Sequence, residues 1–273
     1  MHLLFLFLDG VGLGTNDPQI NPLMRAKMPT LHALLSEKAL IASTAPHHGE
    51  RASLLSLDAT LGIEGRPQSA TGQATLLMGI NIPAEIGYHY GPKPNKDIRE
   101  YMARKETVFS WLRARNKTAA LFNAYPDGYF KGITSGKRLY SAIPLAVTQA
   151  GISLFTAEDL HAGRALSADF TGKEWRKMLK DEKVSVLTPE NAGKKLAELT
   201  TQYNFSFFDY WASDYAGHRQ DMDWAIDQLE TLDGVFTGLI EAMPKDLLIL
   251  ITSDHGNMED MSTITNTSIF AQI

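Results

Sequence analysis

The sequence predicts an α/β protein built on a mostly parallel sheet, and three apolar runs with one intervening stripe carry that reading. His2 to Leu8 (HLLFLFL), Asn204 to Trp211 (NFSFFDYW) and Leu247 to Ile251 (LLILI) are short and nearly continuously apolar, as strands buried on both faces of a parallel sheet are. Between the second and third lies Asp223 to Met243, where Ala225, Leu229, Leu232, Phe236, Leu239 and Met243 recur at alternating spacings of four and three. That is the stripe of a helix packed on a sheet. Strand, helix, strand in this order makes a crossover whose strands run parallel.

Each of the three strands delivers an acid. The first ends in Asp9, followed by Gly10, Gly12 and Gly14; the second leads to Asp214, with His218 four residues on; the third runs into Ser253, Asp254, His255 and Gly256. Any one of these reads equally as a loop Asp capping a helix beside a surface His. Together they are harder to treat as coincidence, because open parallel sheets gather their ligand sites at the carboxyl ends of the strands. Two Asp/His pairs and one further Asp are the hard oxygen and borderline nitrogen donors that Zn or Mn accept. Neighbouring side chains on an extended chain point opposite ways, so Asp254 and His255 reach one ion only if the backbone turns, and Gly256 is expected to permit that turn.

Between the first and second strands lies Gly65 to Gly79, GRPQSATGQATLLMG, a hydroxyl-rich turn opening a helix. Ser and Thr are ordinary N-caps, and that reading accounts for Ser69 and Thr71 without any chemistry. The alternative is a hydroxyl nucleophile at a helix N-terminus, where amides and the dipole favour a bound phosphate.

The segments DGVGLG (Asp9 to Gly14), QSATGQ (Gln68 to Gln73), DYAGH (Asp214 to His218) and SDHGNMED (Ser253 to Asp260) resemble, in this order, the four signatures of the alkaline phosphatase superfamily. They look most like the metalloenzyme branch that contains cofactor-independent phosphoglycerate mutase and phosphopentomutase. The resemblance implies a three-layer αβα sandwich and two divalent ions, Mn or Zn, flanking a Ser or Thr that becomes phosphorylated. Carried over residue by residue, it makes Asp9, Ser69, Asp254 and His255 the ligands of one ion, with Ser69 also the nucleophile. Asp214 and His218 become two ligands of the other. Thr71 sits two places too close to the motif's glycine. A small phosphorylated substrate is the implied partner.

The sequence departs from that pattern in two places. Where the family supplies a third His to the second ion, Met261 to Thr267 reads MSTITNT, with Asn266 at the expected position. Asn is a poor replacement for imidazole on Zn or Mn, so the second ion is expected to be weakly held or absent. The usual closing strand is not expected before Ile273. Alternatives are therefore a metal- and phosphate-binding pseudoenzyme or a truncated chain.

The second departure is length. The family's mutases insert a sizeable cap domain, and here a single metalloenzyme domain over residues 1–273 is expected, with 90–188 the only room for a small cap or insertion. Much of that room reads as ordinary core: a helical run Ile98 to Arg115, a strand Thr118 to Asn123 and a helix near Ile143 to Ala150, with an amphipathic stretch Ala192 to Leu199 just beyond. An uncovered phosphoenzyme is open to water, so a phosphate-ester hydrolase is favoured over a phosphomutase.

Composition excludes more than it assigns. A chain of 273 residues with 44% hydrophobic content can bury a substantial core. Net charge is −5 without a Lys/Arg cluster, which argues against nucleic acid as a partner. The apolar start is too short for a membrane span and lacks the basic flank of a signal peptide, so no membrane partner and a cytoplasmic location are expected. The absence of cysteine excludes disulfides and thiol chemistry. The glycines after Asp9 are spaced G-x-G-x-G, without an acid roughly twenty residues on at a strand end, and so do not make a dinucleotide fingerprint. His47, His48 and His89 read as surface or structural, while Arg51 is within the type that reaches phosphate.

Overall fold

The computed structural model describes residues 1–267 and the backbone of 269–272. Its strands are β1 (His2–Leu8), β2 (His47–His48), β3 (Ser53–Asp58), β4 (Ala119–Leu121), β5 (Phe205–Tyr210), β6 (Leu247–Thr252) and β7 (Ile269–Gln272). They form one sheet in the order β2-β3-β7-β6-β1-β5-β4. The four apolar strands β6, β1, β5 and β4, which run from the middle of the sheet to one edge, are mutually parallel, as the sequence predicts. β7 runs antiparallel to both β6 and β3.

β1 is the axis of the sheet because its alternate residues serve two cores. Leu4, Leu6 and Leu8 face a cluster with Leu196, Leu229, Val235, Phe236 and Leu239. Those partners lie on helices Pro189–Thr200 and Met222–Glu241, the second being the striped crossover helix. Phe7 faces the other way, onto Ala74, Phe109, Ile143 and Phe207. Helices on both faces of a largely parallel sheet define an α/β three-layer sandwich.

Register sets the site. Phe7 lies level with Asp209 of β5 and Thr252 of β6, so all three strands end together and their following loops emerge side by side. Asp9 N then donates to Tyr210 O at 3.0 Å, extending the pairing one step beyond the strand. The loops that carry Asp9 and Asp254 and the helix that carries Asp214 are neighbours for this reason.

Two expectations need correction. The run from Ile98 to Arg115 is two helices, Lys96–Arg104 and Val108–Ala114. Thr107 and Ser110 form a capping box that starts a new helix, and Lys105 turns extended before it. A closing strand is also present: Ile269–Gln272 pairs with β3 over Leu55 to Asp58 and reaches β6 at Thr252. It escaped sequence reading because four residues carry little periodicity and its partner β3 was itself unread.

Within 90–188 the chain is partly core and partly cover. Ile98, Met102, Phe109, Ile143 and Val147 are buried against the sheet, whereas Ala124, Ala165, Trp175 and Val184 make a separate small cluster. Among the described residues no helix is long and apolar enough to cross a membrane.

Phe207 is 1% exposed, with its ring 4.8 Å from that of Phe5 and 6.0 Å from that of Phe109. Phe207→Ala is expected to cost about 3–5 kcal/mol in urea unfolding, the range for emptying a buried aromatic site. A loss under about 1 kcal/mol would show that this face of the sheet is not close-packed.

Candidate metal centre and nucleophile

The two histidines are presented in the same way. His255 Nδ1 lies 3.2 Å from Gly256 O, and His218 Nδ1 lies 3.1 Å from Ile264 O. A carbonyl only accepts, so in each ring Nδ1 carries the hydrogen and, in the neutral imidazole, Nε2 offers its lone pair. Fixing a ring through its second nitrogen is how metal-ligating histidines are commonly oriented.

Around His255 Nε2 the convergence is close. Asp254 Oδ2 is 3.6 Å away, Asp9 Oδ1 3.7 Å and Ser69 Oγ 3.1 Å. Single ligand atoms of Asp9, Asp254 and His255 all lie within 4.8 Å of one another, and among the described residues they are the one such group of three. Among the described residues the ion-pair contacts of Asp9 and Asp254 are to His255 alone, and what otherwise faces them is more negative charge, from Asp214. Burial, then the neighbouring Asp254 and Asp214 charges, hold Asp9 well above the ordinary carboxylate range. Burial, then Asp214, pushes Asp254 up to about 8.

The residues fit a divalent cation. Asp9 Oδ1 and both carboxylate oxygens of Asp254 are buried without a hydrogen-bond partner, an arrangement that is costly unless a cation or a proton compensates it. The donor set of two carboxylates, an imidazole and a hydroxyl suits Mn or Zn.

Asp214 and His218 form the second pair the sequence predicts, with His218 Nε2 3.4 Å from Asp214 Oδ2. Both sit on helix Ala212–Arg219, one turn apart. His218 is the more open, its side chain 45% exposed. Asn266 does not join this pair: its Nδ2 donates to Pro67 O at 2.9 Å and so pins the tail to the loop just before Ser69.

Ser69 is the first residue of helix Ser69–Met78 and is not its cap, a position held by Gln68. That removes the bland reading of Ser69 and frees its hydroxyl for His255. Thr71 does the structural work instead: its Oγ1 donates to Gln68 O at 3.0 Å, and its amide to Tyr90 O at 3.0 Å.

Two glycines are required by proximity. Gly10 has φ +69°, and a β-carbon there would fall 2.7 Å from Asp214 Oδ1. Gly256 was expected to supply a special backbone turn, but its φ is not positive; a β-carbon would overlap Glu259 Oε1 and Thr267 Oγ1. The constraint at Gly256 is space.

Sequence reading missed the residues that hold the ligand loops. Glu259 Oε2 accepts from Gly12 N at 2.9 Å and Asn257 N at 2.8 Å, while its Oε1 accepts from the Thr267 hydroxyl. Asn257 Nδ2 in turn donates to Asp214 Oδ1 at 2.7 Å, and Gln73 Nε2 to Asp9 Oδ2 at 3.3 Å. Glu259 and Asn257 lie inside SDHGNMED, so the motif's polar density was the available signal.

A family model described as the metalloenzyme superfamily matches residues 1–269. The chain belongs to that family. Among curated proteins it is similar to the 2,3-bisphosphoglycerate-independent phosphoglycerate mutase of Chromobacterium violaceum, 26% identical over 187 residues, which are 55% of this chain and 37% of that protein. The enzyme of the same name from Serratia proteamaculans is 33% identical over 101 residues, 34% of this chain and 20% of that one. The chain thus spans between a fifth and little more than a third of the length of the curated relatives it matches. Among solved structures, the PH0037 protein from Pyrococcus horikoshii superposes with a TM-score of 0.59 at 14% identity, over 99% of this chain and 84% of that one. The alkaline phosphatase from the Antarctic bacterium TAB5 does so at 0.54 and 12% identity, over 99% and 90%. These two likenesses are of fold.

The buried acids make the metal-free fold pH-sensitive. Unfolded, an Asp ionises near 3.8; folded, Asp254 holds its proton to about 8 and Asp209 to about 7. The unfolded chain therefore binds fewer protons over that interval, and stability falls as pH rises through it. The melting temperature of chelator-treated protein is expected to be higher at pH 5.5 than at pH 8. Mn at a hundredfold excess over its Kd should restore about 2.7 kcal/mol at pH 8. A metal-free melting temperature that climbs from pH 5.5 to 8 would contradict this electrostatic account.

Proposed function

We propose that the chain is a divalent-metal-dependent phosphate-ester hydrolase with Ser69 as nucleophile. The observation that carries this reading is the placement of Ser69 Oγ 3.1 Å from His255 Nε2, at a helix start and beside the Asp9, Asp254 and His255 cluster. Asp9, Ser69, Asp254 and His255 would hold one ion, Mn or Zn, and Asp214 with His218 a second, weaker one. Such ions, when bound, lower the pKa of a coordinated hydroxyl and stabilise charge on a transferring phosphoryl group.

The chain's own residues supply position. The first-turn amides of Ser69 and Ala70 face the helix entrance, where anionic oxygens are favoured, that of Thr71 being taken by Tyr90 O. Ser69 Oγ forms a bond to phosphorus as the ester P–O bond breaks, and the alcohol leaves with a proton. Water then attacks the phosphoserine, releasing inorganic phosphate and regenerating the hydroxyl.

A phosphomutase is the second reading, favoured by the name of the curated relatives. It requires the phosphoserine to be shielded until the alcohol returns at another position, and the matching stretch here spans only part of those enzymes.

Ser69→Ala is expected to lower kcat for p-nitrophenyl phosphate by roughly three orders of magnitude or more in Mn- or Zn-loaded protein, while Thr71→Ser stays within a fewfold of wild type. Intact-mass analysis after an acid quench should find one added phosphoryl group in wild type and none in Ser69→Ala. Near-normal turnover by Ser69→Ala with full metal content would make water the direct nucleophile.

A further inference from the structure

A cavity of about 680 Å³ opens at the carboxyl edge of β5, next to the helix that carries Asp214. Asp209, Trp211, Ala212 and Tyr215 line it from that side, and Asp209 is close enough to Asp9 for its charge to be felt there. Tyr125, Tyr129 and Trp175 line it from the cover formed by the 123–188 region. The volume falls within the usual range for small-molecule sites.

Three of its lining residues carry orphaned polar atoms. Asp209 Oδ1, Tyr129 Oη and Ser167 Oγ are each sealed from solvent without a hydrogen-bond partner among the described residues. Buried polar atoms are normally satisfied, so three exceptions around one cavity need an explanation. The backbone of Asp209, by contrast, is fully held: Asn123 Nδ2 donates to its carbonyl and its amide donates to Asn123 Oδ1, both at 2.8 Å. The strand is clamped there, so the carboxyl oxygen Oδ1 is the part of this lining residue left without a partner.

The walls narrow the ligand chemistry. They are mostly apolar, with flat rings on both sides, and the rim exposes Trp211, Met178 and Leu179 at 50%, 71% and 48%. Arg138 already lies 5.1 Å over the Tyr129 ring, so that face is taken and an added ligand cation gains little there. Aromatic walls favour a flat ring over a puckered, hydroxylated one. The orphaned atoms require that ring to carry a hydrogen-bond donor for Asp209 and an acceptor for Tyr129 or Ser167.

We propose that this cavity binds the heteroaromatic base of a nucleoside-type group, whose phosphate ester reaches the Ser69 site. The assignment rests on the phosphate-ester reading of that site but makes a separate demand, that the base bind without the phosphate or the metal. Asp209 accepts a proton-bearing nitrogen of the base, and the Tyr129 and Ser167 hydroxyls donate to its ring nitrogen or carbonyl.

The test is a titration of chelator-treated full-length protein with adenosine, guanosine, cytidine and uridine, followed by saturation-transfer NMR and tryptophan fluorescence, alongside methyl glucoside. At least one nucleoside should bind more tightly than the glucoside. Asp209→Asn and Tyr129→Phe should each weaken it fivefold or more without lowering the melting temperature, since the first exchanges an acceptor oxygen for a donor at constant shape and the second removes an unpartnered hydroxyl, neither being a packing contact. Trp211→Ala, at a half-exposed rim position, should weaken it also. No nucleoside binding up to millimolar concentration, tighter glucoside binding, or unchanged affinity in both Asp209→Asn and Tyr129→Phe would overturn the assignment. Nucleoside binding by a metal-loaded protein that turns over neither the matching nucleotides nor p-nitrophenyl phosphate would sustain the base site and overturn the hydrolase reading; turnover of p-nitrophenyl phosphate without nucleoside binding would do the reverse.

Discussion

The arrangement of this protein depends on three carboxylates being held together at one end of a parallel sheet. Asp9 and Asp254 arrive from the loops after β1 and β6 and Asp214 from the helix after β5; Asp254 and Asp214 raise the cost of ionising Asp9, and Asp214 that of ionising Asp254. Left to themselves, like charges in a low-dielectric setting would push these loops apart or take up protons. The structure keeps them together by fixing the backbone around them.

Glu259 does most of that fixing. It is itself buried and acidic, but unlike Asp254 its carboxylate is surrounded by donors: two amides and a hydroxyl from three different segments. The amide of Gly12 belongs to the loop after β1, that of Asn257 to the loop after β6, and Thr267 to the tail that leads into β7. Gly256 has no room for a side chain because this carboxylate passes beside it. A satisfied acid thus holds two unsatisfied ones in place, and the difference between them is the difference between a structural and a ligand-binding carboxylate.

Legibility from sequence followed the range of the interaction involved. β1, β5, β6 and the long crossover helix were legible because a strand buried on both faces and a striped helix leave strong local patterns. The six residues Asp9, Ser69, Asp214, His218, Asp254 and His255 were legible as an ordered set of motifs. Their division into a tight group around His255 and a more open pair at Asp214 and His218 became visible only in space. The Lys105 to Thr107 break was readable in principle, since Thr107 and Ser110 stand three residues apart, the spacing of a capping box. β7 was not, because a four-residue strand owes its existence to β3 and β6. Asp209 looked like one polar residue in an apolar strand, and only the surrounding cavity and the Asn123 clamp give it a distinct standing.

Calorimetric titration of Mn into chelator-treated protein tests the central claim most directly. One ion should bind tightly in wild type and in His218→Ala, because the group around His255 is intact in both. Asp9→Asn and Asp254→Asn should each lose that tight ion, while their metal-free melting temperatures at pH 8 match or exceed wild type, since a repelling charge has been removed. Tight binding retained in both Asp→Asn variants, or lost in His218→Ala alone, would contradict the assignment of Asp9, Asp254 and His255 as the primary cation site.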